Sequence, residues 1–495
     1  MTPESFEYDY VVLGSGASGA TLSVTLAEFG FKTAIVEEGK WYHKEDFKEE
    51  LYTSIIHLFR NHGMQMAHGS SVMPVLEGRC VGGSTVLNGA IVHRLGEEVY
   101  NKWAERIPSL RQAIAFELIE ETATSIESDL NIKRNLGSIL HSLPASRALR
   151  RLGWEHQAML RNAPGCRGSG RCLQGCPTGG KWSMEASFIP RAIRAGAEIL
   201  TETRAIRILF NAMGKAEGVL CQDANGKALR LMAKRGVIVA TGVIQTPLLL
   251  WRSGLKKVLP HLGRHFQTHL GVGIIGKMDR PVRELEGPPQ GIEITGFKED
   301  GYKLATQSIP LELLLSRTPL AGRELVKELG EVDFYSSWMA SIQSDAEGAV
   351  GPSWTGKPSI RFEPSRKDLA AARQALYQLS TLLFEMGAKV VYPGVSGPQV
   401  PMTLSNIEDT KKILTMPLNP KYFWLSAGHL FGTARMGNNS KDSVVGTNFE
   451  VHGAPGLFVV DASIFPTNLG VNPQHSVMTL ARVAANGIAT GRDNA

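Results

Sequence analysis

The sequence predicts an α/β protein of two or more domains, one built on a dinucleotide-binding βαβ unit and one on an antiparallel sheet with helices. Three observations predict it. The chain has 495 residues, beyond the size at which a single core usually stops growing. Its first forty residues read as strand, glycine-rich turn, helix and strand. Residues 270–425 differ in texture, with short strand-like pieces around one long helix.

The opening unit is the clearest. Tyr10–Leu13 is a short buried-type strand, Gly14-Ser15-Gly16-Ala17-Ser18-Gly19 is the turn, and Ala20–Phe29 is a helix ended by Gly30. Lys32–Glu37 is the second strand, and Glu37 follows the first glycine by 23 residues. This is the dinucleotide fingerprint in its proper context. The glycines allow the tight turn and close approach to a pyrophosphate, the helix N-terminus offers free N–H groups, and the acid suits ribose hydroxyls. The pattern alone does not separate NAD from FAD. Gly78–Gly89 forms a second glycine-rich stretch that can lie against a flat ligand and present N–H groups to it.

Residues 104–160 read as amphipathic helix, and residues 161–182 as a glycine- and cysteine-rich loop. Strand signals return at Ala197–Leu200, Ala205–Phe210 and Arg235–Ala240. A helix follows, with Thr246 as N-cap and Pro247 at its first position. Within 270–425, Gly271–Gly276 and Ser359–Phe362 read as strands and Leu369–Met386 as a helix. The C-terminal part holds Gly428-His429-Leu430-Phe431-Gly432, an apolar strand ending at Asp461-Ala462, and Asn472-Pro473-Gln474-His475 opening a helix. A neutral imidazole and a side-chain amide brought together can take a proton from an alcohol and hold its oxygen.

Composition narrows the classes. Hydrophobic content of 43% and charge of 20% are those of an ordinary globular chain. A net charge of +6, without basic blocks carrying aromatics, argues against nucleic acid. There is no apolar run long enough for a membrane span and no signal-peptide pattern. The five cysteines fit a reducing compartment. A cytoplasmic protein is expected, with peripheral membrane contact open.

Together the blocks Gly14–Glu37, Gly78–Asn88, Gly242–Gly254 and His429–Met478 resemble the glucose–methanol–choline (GMC) oxidoreductase family, in the family's order and over nearly the whole chain. The resemblance implies FAD, and a Rossmann-like FAD domain of discontinuous segments (1–100, 190–269 and 430–495) beside a substrate-binding or cap domain (101–189 and 270–429). It implies that Gly14, Gly16, Gly19 and Glu37 hold the ADP portion and that Gly82, Gly83, Ser84 and Asn88 lie along the flavin and pyrophosphate. Ser18, Glu38 and Arg79 join this cofactor set. Asp461 and Ala462 match the strand end near the ribityl chain, and Pro473 and Gln474 the helix start beside the flavin. His429 matches the active-site histidine and Asn472 the second catalytic position. Val86-Leu87 occupies the place where some members attach FAD through histidine, so the flavin is expected to be non-covalent.

The expected reaction is oxidation of an alcohol to an aldehyde or ketone. His429 would act as base, Asn472 would stabilise the alkoxide, and oxygen, a quinone or a redox protein would serve as final acceptor. A flavin-containing lyase of cyanohydrin type and an electron-transfer flavoprotein subunit are the alternatives. His475 competes with Asn472 for the second position, and His269, in a stretch that looks similar to a family loop, is read as supporting structure. Cys166, Cys172 and Cys176 read as a structural loop first, with an iron–sulfur site, a zinc site using His156, or a disulfide behind it. No metal site is assigned.

Overall fold

The computed structural model describes residues 3–134 and 143–491. Two sheets organise the chain. The first has seven strands in the order Glu198–Leu200, Thr33–Val36, Glu4–Leu13, Ala228–Val239, Ala216–Gln222 and Arg204–Phe210, with Leu457–Val459 also paired to Ala228–Val239. Five of these run parallel: Glu198–Leu200, Thr33–Val36, Glu4–Leu13, Ala228–Val239 and Leu457–Val459. Their inner stretches are continuous apolar runs, because a parallel sheet is covered on both faces; Val11, Val12, Leu13, Val237, Ile238 and Val239 are fully buried. The helix Ala17–Glu28 packs between the helices Phe188–Arg194 and Gln474–Thr490.

This topology explains why the predicted cofactor residues converge. Gly14, Glu37, Thr241 and Asp461 each stand just beyond the carboxyl end of a parallel strand. Open α/β sheets bind ligands at that edge.

The second sheet has eleven strands, gathered around the long strand Arg264–Met278. That strand pairs antiparallel with Tyr335–Gln343, Gly348–Pro352, Ala388–Tyr392 and Ser426–Phe431. The helix Arg366–Glu385 covers it. A capping box starts this helix: Ser365 Oγ accepts from the Asp368 N–H at 3.1 Å, and the Asp368 carboxylate accepts from the Ser365 N–H at 2.7 Å. Leu369, Ala372, Leu376, Leu379 and Leu383 recur at helical spacing and are buried against Ile274 and Trp338. Each such leucine contributes about 1.5–3 kcal/mol of burial.

Two local expectations are corrected. The helix expected to begin at Pro247 runs from Gly242 to Arg252, with Thr241 as N-cap and Pro247 inside it. Pro247 has no N–H for the Val243 carbonyl, and the buried Thr433 hydroxyl donates to that carbonyl at 2.5 Å instead. The stretch 104–160 is only partly helical. Its helices include Phe116–Asp129 and Leu143–Leu152, and the positive φ of Asn131 (47°) and Gly153 (69°) follows their ends. Short strands at Lys133–Arg134, His156–Ala158 and Leu160–Arg161 take the rest, and residues 135–142 of that expectation lie outside the described residues.

We propose a domain division along the two sheets. Met66–His68, Val72–Pro74 and the whole of Arg264–Met278 pair into the antiparallel sheet, while Tyr100, Trp103 and Ile119 pack into the core of the parallel one.

Candidate active site

A cavity of about 320 Å³ is lined by residues of both sheets. Gly14, Gly16, Ser18, Glu37, Glu38, Gly83, Ser84, Asn88, Asp461, Ala462, Pro473 and Gln474 line it, and so do His429 and Asn472. Gly19, Arg79 and Gly82 do not. A Cβ at Gly19 would lie 1.9 Å from Gly14 O, so this glycine serves close packing of helix on strand. Arg79 is half exposed and reaches Glu38 at 3.4 Å. Gly82 uses its N–H on Ser15 Oγ at 3.1 Å.

The phosphate end fits a dinucleotide. Gly16 caps the helix Ala17–Glu28 with no side-chain hydrogen bond to the first-turn amides, and the space where its Cβ would point is open for 4 Å. An anion close to the backbone is what such a terminus accepts. Glu37 lies beside it, but both its oxygens are already engaged: Ser15 donates N–H and Oγ–H at 3.1 and 2.6 Å, and the Gly39 N–H donates at 2.8 Å. Glu37 therefore braces the glycine loop as well as facing the cavity; burial pushes its pKa up despite those bonds. Asp461 is similar. It accepts from the Gly242 N–H, Thr246 Oγ1 and the Ser463 N–H at 2.9, 2.7 and 2.7 Å, and ties two strand ends together. Arg60, unnoticed in the sequence, lines the cavity and pairs with Glu38 at 3.2 Å.

The reactive end is built by the second sheet. His429 lies on Ser426–Phe431 opposite His269 of the long strand, and the register slips by one residue immediately beyond them. Such a bulge bends a strand and re-aims its side chains. The His429 ring opens on the cavity. Its Nδ1 is 3.1 Å from His269 Nδ1, and its Nε2 is 3.3 Å from Asn472 Nδ2. Burial, followed by the Lys303 and His93 charges, lowers the His429 pKa to about 3, so the ring is neutral at physiological pH. Asn88 on the glycine-rich loop donates to Gln474 Oε1 at the start of the last helix, joining the second and fourth sequence blocks.

His475 is not part of this site. It is fully buried in the last helix, 3.6 Å from Glu127, and does not line the cavity. His269, read from the sequence as structural only, is in direct contact with His429. Lys303, 2.8 Å from Asn472 Oδ1, carried no signal in the sequence.

The cysteine loop lies nearby. Arg161, 1% exposed, donates to Cys166 Sγ and Cys172 Sγ at 3.7 and 3.4 Å, and the Lys181 N–H donates to Cys176 Sγ at 3.4 Å. All five cysteines are free thiols. Among the described residues no three His, Cys, Asp or Glu side chains are placed to hold a metal ion, and no helix is long and apolar enough to cross a membrane.

Comparison with known proteins agrees with this geometry. Two family models, each described as GMC oxidoreductase, match residues 8–271 and 346–481. An uncharacterised GMC-type oxidoreductase of Mycobacterium tuberculosis is 32% identical over 98% of this chain and 76% of its own length. A long-chain-alcohol oxidase of Arabidopsis thaliana is 24% identical over 98% of this chain and 67% of its own. Among solved structures, formate oxidase superposes with a TM-score of 0.77 at 17% identity, covering 99% of both chains. Pyridoxine 4-oxidase from Mesorbium loti does so with a TM-score of 0.72 at 17% identity, over 97% of this chain and 98% of its own. With the family's two models spanning both sheets and its cofactor and histidine blocks meeting in one cavity, the chain belongs to the GMC oxidoreductase family of FAD flavoproteins.

Proposed function

We propose that this enzyme oxidises an alcohol to an aldehyde or ketone, with His429 as the base and Asn472 as the residue that holds the reacting oxygen. The observation that carries the proposal is the pairing of a neutral imidazole with a side-chain amide, 3.3 Å apart and open to the cofactor cavity. The alcohol-oxidase name of the Arabidopsis relative supports a CH–OH donor. When bound, FAD supplies the two-electron acceptor for the carbinol hydride. The chain's own residues do the rest. His429 Nε2 takes the hydroxyl proton. The alkoxide oxygen then accepts from the Asn472 amide and from the new imidazolium. Gly16 and Ser18 at the N-terminus of the first helix, Asn88 on the glycine-rich loop and Gln474 at the start of the last helix would hold FAD non-covalently. The buried Val86 and Leu87 stand where a covalent histidine would be needed.

Anaerobic mixing with a panel of primary and secondary alcohols tests the proposal, followed by readmission of oxygen to identify the acceptor. Bleaching of the flavin by at least one alcohol is expected. In His429→Ala the flavin should stay bound and reduce about 10²-fold more slowly. Carbonyl release without bleaching would indicate lyase chemistry, and an unslowed His429→Ala would remove His429 from the reaction.

A further inference from the structure

We infer that Lys303 is a positioning residue of this site: its ammonium fixes the amide of Asn472 and, through it, the nitrogen of His429 that carries the ring proton. The inference rests on the proposed function only in taking His429 as the base.

Lys303 lies on the strand Tyr302–Thr306, which pairs with Tyr335–Gln343 and so sits one strand removed from His269. Its side chain is 14% exposed and does not line the cavity, so it acts through its neighbours. An ammonium has three protons and no acceptor. Nζ has three partners, Asn472 Oδ1 at 2.8 Å, His93 Nε2 at 3.0 Å and Glu293 Oε2 at 3.3 Å. His93 Nε2 also lies 3.1 Å from Glu293 Oε2, so it either accepts from Lys303 or donates to that carboxylate; the Asn472 contact is a donation from Lys303 in both cases. The Glu293 carboxylate is 2% exposed and is held also by Gln157 at 2.8 Å, so the cation is anchored from behind.

The polarity then propagates. Since Lys303 can only donate, Asn472 must turn its oxygen toward Nζ and its NH₂ toward His429. That NH₂ meets His429 Nε2, which must offer a lone pair, so the ring proton is on Nδ1 and faces His269 Nδ1. The far end of this hydrogen-bond chain allows either direction. The Gly470 N–H has two acceptors in reach, His269 Nε2 at 2.9 Å and Asn468 Oδ1 at 3.3 Å. If it donates to His269, the protons lie on His269 Nδ1 and His429 Nε2, and His429 is no base. If it donates to Asn468, His269 can keep its proton on Nε2, with the Asn468 side chain as a partner, and accept from His429 on Nδ1. Asn468 itself is oriented by its NH₂ donating to Ser344 O. Only the second arrangement agrees with the Asn472 orientation that Lys303 imposes, and it leaves His429 Nε2 unprotonated, its one lone pair on the Asn472 amide until a substrate hydroxyl displaces the amide from it. The Lys303 charge acts in the same direction, since it and His93 follow burial as causes of the low His429 pKa.

Four variants of the FAD-loaded enzyme test this: Lys303→Met, Asn472→Ala, the two combined, and Lys303→Met/Glu293→Gln. The last removes the buried carboxylate that Lys303→Met leaves uncompensated, and it stands in should the single variant fail to fold. Loss of Lys303 should slow flavin reduction about 10- to 10²-fold with FAD retained. In the Asn472→Ala background the same loss should cost less than about 3-fold, because the two act as one unit. The acid limb of the reduction rate should move upward toward neutral pH. In enzyme labelled with ¹⁵N-histidine, the His429 signal, assigned by its disappearance in His429→Ala, should shift from the Nδ1–H form toward the Nε2–H form. Multiplicative losses in the combined variant, or an unchanged His429 tautomer without Lys303, would overturn the inference. The tautomer measurement needs no substrate, so it stands even if His429 proves not to be the base.

Discussion

Two glycines of one motif should fail in opposite ways when replaced by alanine. At Gly19 a Cβ would lie 1.9 Å from Gly14 O and 2.8 Å from Gly14 C, both backbone, whereas real Cβ atoms essentially never approach within 3.0 Å. The helix Ala17–Glu28 must withdraw from the first strand by about 1 Å, in a core where Ala20, Leu22 and Val24 are fully buried. Overpacking of this kind costs about 1–3 kcal/mol, and a rigid backbone contact places it at the upper end. At Gly16 a Cβ meets nothing within 4 Å, and φ of −68° suits any residue. The methyl would instead stand in the space that the pyrophosphate needs. The loss is then one or two anion–amide hydrogen bonds, about 1.5–3 kcal/mol each, or roughly 10- to 10²-fold in FAD affinity for the first. Thermal unfolding of the apo-protein and titration of FAD by fluorescence quenching separate the two. Gly19→Ala should unfold earlier even without FAD, and Gly16→Ala should unfold like the parent when apo but bind FAD weakly. An apo Gly19→Ala as stable as the parent, or a Gly16→Ala with undiminished FAD affinity, would refute the division of labour.

Two further outcomes follow from buried ionisable groups. With His429 held at about 3, the rate of flavin reduction by an alcohol should be level between about pH 5 and 8, with no acid limb near the ordinary histidine value; stopped-flow reduction across that range checks it. Burial pushes the Glu284 carboxyl up to about 8, above its unfolded value of 4.5. Its contribution to stability is therefore present below pH 4.5 and lost as pH rises through 8. The Ser337 hydroxyl, which already donates to Gln307 O, suits a protonated Glu284 as its other neighbour. Glu284→Gln mimics that form and should be nearly neutral at about pH 5. At about pH 9 it should stabilise by a few kcal/mol, since each pH unit between the unfolded and folded values is worth about 1.4 kcal/mol. Denaturant midpoints at both pH values check it.

The cofactor half of the site was largely legible in the sequence. Gly14 to Glu37 is contiguous, so strand, turn, helix and acid announce one another within a single βαβ unit. Asp461 and Asn472 stand at a strand end and before a helix start, positions visible in the sequence, and it is the family resemblance that assigns them roles; both line the cavity. The supports of His429 were not legible. His269 and Lys303 reach it only through strand pairing, Lys303 beside Ser341 on one strand and His269 beside Gln343 and His429 on others. Such register is fixed by the whole sheet and leaves no spacing rule. The misplaced helix start at Thr246 has a different cause. Pro at the first helical position is the commoner use, and nothing local reveals that Thr433 would satisfy the carbonyl that Pro247 abandons.

What the two sheets contribute to one another can be argued from polarity. The parallel sheet delivers its residues just beyond strand ends, where the uncapped first turn of the helix Ala17–Glu28 offers backbone N–H groups suited to an anionic cofactor. The antiparallel sheet delivers His429, His269 and Lys303 as side chains on neighbouring strands, where each can be oriented by the next. Asn472 belongs to neither sheet. It lies just before the helix Gln474–Thr490, which packs on the helices Ala17–Glu28 and Phe116–Asp129, while its oxygen is held by Lys303 of the second sheet. The segment before that helix is tied to the antiparallel sheet as well, Asn468 N–H donating to Gln267 Oε1 at 2.7 Å and Gly470 N–H lying 2.9 Å from His269 Nε2, so the orientation of the amide is set from the second sheet.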